Sequence, residues 1–339
     1  MSLSPGALDA LTATSTAGRL AGFEPPRWLR GPHIQSVLAS LQPRRYFVEQ
    51  RARALLAASE PVVLDCGEGV RLSGRYAANA AGAGLVVLIH GWEGSADSSY
   101  VLSAGAHLYA RGHAVFRLNL RDHGDSLHLN EGIFHSCRLA EVIGAVRAIR
   151  ASYRPRWFGL GGFSLGGNFA LRVAADAPDA GLDRVAAICP VLDPARTMAA
   201  LDRGSRIYQR YFIRKWSTSL YRKAELWPGR YDFGRLERHR NLERMTDHLV
   251  GAYTEFPSLA TYLSGYAITG ARLSSLSVPS SILAALDDPI IPAEDLGRLA
   301  RPPPLEITVT RHGGHCGYVE SLAGPSFADR FLGDKLAAR

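Results

Sequence analysis

No stretch of the 339-residue chain is both apolar and about 18 residues long, the length a helix needs to cross a bilayer. Cysteine is scarce. Cys66, Cys137, Cys189 and Cys316 lie far apart, show no C-x-x-C spacing, and belong to a chain too long to need disulfide staples, so reduced thiols and a cytoplasmic location are the expectation. Zinc-finger spacing, a P-loop and aromatic-interleaved RNA motifs are all missing. The net charge of +8, carried largely by arginine, therefore reads as solvated surface with no nucleic-acid partner. The opening residues "MSLSPGALDALTATSTAGRLAG" have no basic n-region and no apolar h-region, so residues 1–22 read as a flexible tail and not as a secretory signal.

What is present is an ordinary globular composition, 47% hydrophobic and 21% charged, in a chain long enough for one large domain with an insert. Apolar runs of strand length alternate with amphipathic segments of helix length, the pattern of a mostly parallel sheet covered on both faces. "PVVLDCGEGVRLSGRYA" reads as a hairpin turning at Glu68 and Gly69. "GLVVLIHGW", "HAVFRLNL", "RWFGLGGF", "DRVAAICPV", "SSILAALDD" and "LEITVT" bring the strands to eight, with helices expected over 135–152 and 325–336 among others. The alternation breaks from 193 to 275, where the chain is arginine-rich, aromatic and helical. That segment is expected to be an insert, with a core of residues 23–192 and 276–339.

The most informative stretch is "GLGGFSLGGNFAL", residues 159–171, where five glycines surround Ser164 between a strand and a helix. Strand, G-x-S-x-G, helix is the nucleophile elbow, a strained turn that lifts a serine hydroxyl clear of a sheet. A dinucleotide fingerprint fails on spacing, because the third glycine would have to stand where Ser164 is. A serine nucleophile needs a histidine base, and the base needs an acid to fix its tautomer. "ALDDPIIP" offers Asp287 and Asp288 past one strand, and "TRHGGHCGY" offers His312 and His315 past the last, in the chain order Ser, acid, His. Asp288 is preferred because Pro289 holds it extended, with Asp287 as the alternative. His315 is preferred because the two glycines before it give it reach.

Oxyanion donors are expected from the backbone N–H groups of Leu165, next after the serine, and of Trp92 in "LIHGWEGS". A metal reading of His312, His315 and Cys316 lacks a matching carboxylate or second histidine pair, so neither metal nor cofactor is expected. The cluster Asp122, His123, Asp125 and His128 in "LNLRDHGDS" reads as a hydrogen-bonded loop beside the site. Dehalogenase and epoxide hydrolase chemistry would need an aspartate where Ser164 stands.

These motifs together resemble the YheT-like branch of the α/β-hydrolase superfamily. "RWLRGPHIQSVLASLQPRR" is similar to that branch's N-P-H-x-Q-T segment, "HGWEGS" to its H-G-L-E-G-S, and "GFSLGGN", "ALDDP" and "HGGHCG" to its elbow, acid and base. The resemblance implies a Ser-His-Asp hydrolase, esterase- or lipase-like, with a helical cap where the insert falls. Trp92 in place of leucine, and "RDHGDS" in place of a shorter loop, depart from the branch in the region that shapes an acyl pocket. The expected function is cleavage of a carboxylic ester with a small or medium acyl group through an acyl-enzyme. Acyl transfer by the same residues and a non-catalytic ligand-binding protein are the alternatives. The stripe Tyr208, Tyr211, Phe212, Trp216 and Leu220, ringed by arginine and lysine, reads first as core packing and second as a surface for an acyl chain or weak contact with anionic lipid.

Overall fold

The computed structural model describes residues 18–337 except 21, 40, 205 and 240. Its strands are β1 (Gly18–Leu20), β2 (Ser59–Asp65), β3 (Arg71–Ala77), β4 (Leu85–Ile89), β5 (Ala114–Leu118), β6 (Phe158–Phe163), β7 (Arg184–Ile188), β8 (Ser280–Ala285) and β9 (Leu305–Thr310). They form one sheet in the order β1-β9-β8-β7-β6-β4-β5-β3-β2. All neighbours are parallel except β5–β3 and β3–β2, the latter being the hairpin expected at Glu68 and Gly69. The eight expected strands are thus joined by a ninth. Gly18–Leu20, within the segment read as tail, pairs in parallel with Ile307–Val309 at the sheet edge, so that end of the segment belongs to the core.

Strand β4 shows why these sequences make buried parallel strands. All five of its residues are apolar and buried. Leu85, Val87 and Ile89 point into one apolar cluster while Val86 and Leu88 point into the other, as the two-residue period of a strand requires. On the first face lie α5 (Leu139–Tyr153) and α6 (Leu165–Asp176); on the second, α4 (Ser99–Ala110) and α11 (Phe327–Leu336). Helix α5 begins four residues later than the sequence suggested, because residues 135–138 belong to the turns that precede it. Ahead of the hairpin, α1 (Pro32–Leu38), α2 (Gln42–Arg51) and α3 (Arg53–Ala57) form an arm that the strand pattern did not reveal.

Between β7 and β8 the insert is helical throughout its regular elements. These are α7 (Pro194–Arg203), α8 (Arg206–Leu226), α9 (Leu242–Tyr253) and α10 (Leu259–Gly265), with Asp193, Asn241 and Ser258 capping the N-termini of α7, α9 and α10. It is fastened to the sheet by a buried cation. The Lys223 ammonium, 1% exposed, reaches Asp122 Oδ1 at 2.8 Å and the carbonyls of Leu127 (3.0 Å) and Asn130. Burial pushes the ammonium down and the Asp122 carboxyl up from their usual ranges, while the opposite charge pulls each back. The Trp227 indole N–H donates to the same Leu127 carbonyl at 3.0 Å. This places the insert over the C-terminal ends of the parallel strands, the edge at which open α/β sheets bind ligands. Among the described residues no helix is long and apolar enough to cross a membrane, and all four cysteines are free thiols.

Candidate active site

The loops leaving the C-terminal strand ends are strained. Of the eight non-glycine residues with positive φ among those described, six follow these strands: Glu93, Asp122, Ser164, Cys189, Cys316 and Tyr318. Backbone strain of this kind costs about 1–3 kcal/mol per residue and persists only where the surroundings over-determine it.

Ser164 sits between β6 and α6 at φ +53° and ψ −118°. The flanking glycines make the bend possible. A Cβ on Gly162 would run into the Gly166 carbonyl, and one on Gly166 into the carbonyls of Ile89 and His90. The turn therefore packs directly on the end of β4, and the serine hydroxyl stands at the head of the helix. Its Oγ lies 2.9 Å from His315 Nε2, and His315 Nδ1 lies 2.9 Å from Asp288 Oδ2. The other oxygen of Asp288 accepts the backbone N–H groups of Ile290 and Ile291 at 2.8 and 3.0 Å, so this almost fully buried carboxylate is held by three hydrogen bonds. Pro289 turns the chain so that those two amides fold back over it.

The two aspartates do different work. Asp287 does not touch His315. It accepts the Gly314 N–H at 2.9 Å and lies 3.6 Å from His312 Nδ1, and burial pushes its carboxyl up from the usual range. His312 stays at the strand exit and does not reach Ser164. The Cys189 and Cys316 thiols approach His315 closely, with one ligand atom from each of the three residues within 4.8 Å of the others. Both His315 nitrogens are engaged by Ser164 and Asp288, and burial drives the Cys316 thiol well above its ordinary pKa. The thiols serve here as packing and weak donors to the Gly314 and Ile188 carbonyls.

The loop after β4 lies against the serine, since a Cβ on Gly91 would sit 3.2 Å from the Ser164 Cβ. Among the described residues, the amides of Trp92 and Leu165 donate to no other group; that of Leu165 is the first of helix α6, where a free N–H carries partial positive charge. Side chains fix the start of this loop. The Tyr100 hydroxyl accepts the Gly91 N–H at 3.0 Å; His90 Nε2 accepts from Leu120 and His123 Nε2 from Glu93, each at 3.1 Å. Each imidazole then carries its proton on Nδ1 and donates to a carbonyl, His90 to Gly91 and His123 to Arg121. His123 and Asp122 are thus structural members of the "RDHGDS" loop, as the sequence suggested. Trp92 turns its ring toward the insert, stacked on Phe212 (5.2 Å between centroids, 9° between planes) and edge-on to Trp216.

Ser164, His315, Leu165 and Trp92 line a cavity of about 610 Å³ closed over by Met198, Leu201, Tyr208, Phe212 and Trp216 of the insert. His135 also lines it, with an imidazole that burial pushes down to about 3 and so keeps neutral. Val37, Leu41 and Arg45 of the N-terminal arm line it as well. That arm, and the fastening of the loop by His123 and Glu93, were not read from the sequence. The start of α1 was signalled, however, by Gly31-Pro32, a proline at the first helical position.

A mostly parallel sheet in this order, a serine on a strand-to-helix elbow and a histidine after the last strand define an α/β hydrolase, and the chain belongs to that family: the α/β-hydrolase fold profile matches residues 84–322. It is a YheT-like member, 24% identical over 305 residues to YheT, a candidate esterase of Escherichia coli (strain K12), with 88% of this chain and 87% of that one covered. Among solved structures it superposes on the Pyrococcus furiosus esterase Pf2001 with a TM-score of 0.55 at 16% identity, covering 82% of this chain and 91% of that one. A 2,6-dihydroxy-pseudo-oxynicotine hydrolase gives 0.55 at 18% identity, covering 84% and 71%. These two likenesses are of fold. The chain is an esterase-like α/β hydrolase.

Proposed function

We propose that the protein is a serine esterase in which Ser164, His315 and Asp288 act as nucleophile, base and orienting acid on a carboxylic ester of small or medium acyl length. The observation that carries this reading is the unbroken hydrogen-bonded chain from Ser164 Oγ through both nitrogens of one imidazole to a buried carboxylate. In that chain Asp288 holds the Nδ1–H tautomer, which leaves Nε2 free to take the serine proton as Oγ bonds to the ester carbon. The oxygen of the tetrahedral intermediate would be met by the amides of Leu165 and Trp92, the first reinforced by the helix dipole of α6. His315 then returns its proton to the departing alkoxide, leaving an acyl-serine. Water, deprotonated by the same nitrogen, releases the acid and restores the serine.

The cavity supports an apolar acyl group. Its 610 Å³ lies within the roughly 300–1,000 Å³ range of sites that engulf a small organic ligand, and the insert residues 193–275 would act as a cap over the core of 23–192 and 276–339, to which β1 adds an edge strand. For p-nitrophenyl esters, kcat/KM is expected to climb from acetyl to medium acyl chains by up to about fourfold per added methylene, the worth of about 0.8 kcal/mol of burial. A profile that is flat or falls from acetyl onward would contradict an acyl-binding cavity. Product analysis with an added alcohol separates hydrolysis from acyl transfer.

Weak contact with anionic lipid has support in the cavity mouth. Leu41 and Tyr211 line the mouth yet are 47% and 54% exposed, and Arg206, Arg210, Arg214 and Lys215 are exposed on α8 beside them. Co-sedimentation with vesicles containing anionic lipid should exceed that with neutral vesicles and should weaken with salt. Equal binding to both removes the lipid role and leaves the esterase reading intact. The free thiols fit a reducing, cytoplasmic compartment.

A further inference from the structure

The segment "RWLRGPHIQS" precedes the matched residues 84–322 and carries no group of the proposed triad, yet it is built into the loop that holds the base. The Ser36 hydroxyl oxygen accepts the backbone N–H of His315 at 2.8 Å while its proton goes to the Pro32 carbonyl at 2.7 Å, so its direction is fixed from both sides. Its neighbour Gln35 is wholly buried. The Gln35 amide donates to the carbonyls of Leu29 (2.8 Å) and Val319 (2.9 Å) and accepts the Val319 N–H at 2.7 Å. Helix α1 therefore grips the loop at residues 315 and 319.

The grip is close because the loop has given up side chains to allow it. A Cβ on Gly314 would strike the Pro32 carbonyl, and one on Gly317 the Gln35 carbonyl. Beside and between the two anchors the backbone is repeatedly left-handed: φ is +53° at Gly314, just before the first, and +59° at Cys316 and +51° at Tyr318 between them. Such a loop relaxes unless something outside it holds it. Asp287 secures Gly314 and the Phe327 N–H secures the Tyr318 carbonyl at 2.9 Å, while α1 holds the backbone at residues 315 and 319.

We propose that Ser36 is a positioning residue for His315, and that α1 sets the distance between the base and Ser164. This rests on the esterase reading above. Removing the Ser36 oxygen frees the His315 amide, and a displacement of about 1 Å at a reacting group costs about a hundredfold in rate.

Ser36→Ala is expected to lower kcat by about tenfold to a hundredfold with KM changed less than about twofold, the mark of a group that acts on the transition state and not on substrate binding. Ser36→Thr, which keeps the hydroxyl, should restore most of kcat. Ser36→Cys, close in volume but a poor acceptor, should fall like alanine, which separates the hydrogen bond from packing. The downfield proton resonance of His315 Nδ1–H should shift or broaden in the alanine and cysteine variants and return in the threonine variant. Wild-type kcat in Ser36→Cys, or a loss in Ser36→Ala that Ser36→Thr does not repair, would overturn the proposal. Ser164→Ala is assayed alongside: if it keeps wild-type activity the esterase reading itself fails, whereas an inactive Ser164→Ala beside an unaffected Ser36→Cys condemns only the positioning role.

Discussion

Ser164→Ala is expected to reduce kcat/KM for an activated ester by about four to six orders of magnitude, while the thermal midpoint stays close to that of the wild type. The size follows from the removal of the atom proposed to form the acyl-enzyme. What remains is hydrolysis by water in a site that still presents two free amides, and such residual catalysis over the uncatalysed reaction is typically about 10³–10⁴-fold. The fold should tolerate the change because the strain at φ +53° is a backbone property that alanine bears as serine does, and the glycines that make room for the elbow are untouched. Ester hydrolysis followed beside a calorimetric scan checks both halves. Activity within tenfold of wild type in a folded variant would place the nucleophile elsewhere.

The second large effect separates two adjacent carboxylates. Asp288→Asn should cost about 10⁴ in kcat, because an amide in that position can offer an N–H to Nδ1 and stabilise the wrong tautomer of His315. The two amides of Ile290 and Ile291 would also lose the charge they now hold, although their hydrogen bonds could persist to the amide oxygen. Asp287→Asn should cost less than about tenfold, since its oxygen can still accept the Gly314 N–H and the His315 imidazole is held by Asp288 instead. Steady-state kinetics on the pair decide the matter. If Asp287→Asn proves the more damaging, the acid has been assigned to the wrong residue.

Much of this geometry was legible in the chain, and the reason is local. A tight strand-to-helix turn leaves a five-residue signature because Gly162 and Gly166 are demanded by backbone atoms within a few residues or on the adjoining strand. Pro289 after Asp288 and the glycines before His315 are likewise short-range devices. Strands such as β4 and β6 were legible because burial on both faces forces a run without charged residues. The grip of α1 on the His315 loop was not legible, because it joins residues 279 and 284 positions apart through a serine and a glutamine that look like surface residues in isolation. The same holds for Lys223, which reads as one basic residue among many on α8 until Asp122, Leu127 and Asn130 are seen to surround its ammonium. β1 escaped notice since three residues of edge strand carry too little pattern to be distinguished from a tail.

Covalent capture tests the central claim most directly. Incubated with a fluorophosphonate, digested and mapped by mass spectrometry, the wild-type protein should carry a single adduct on Ser164. The adduct should be absent from Ser164→Ala and form far more slowly in His315→Ala, since the base is what makes the hydroxyl reactive. An adduct on any other residue, or unchanged labelling in Ser164→Ala, would contradict the account.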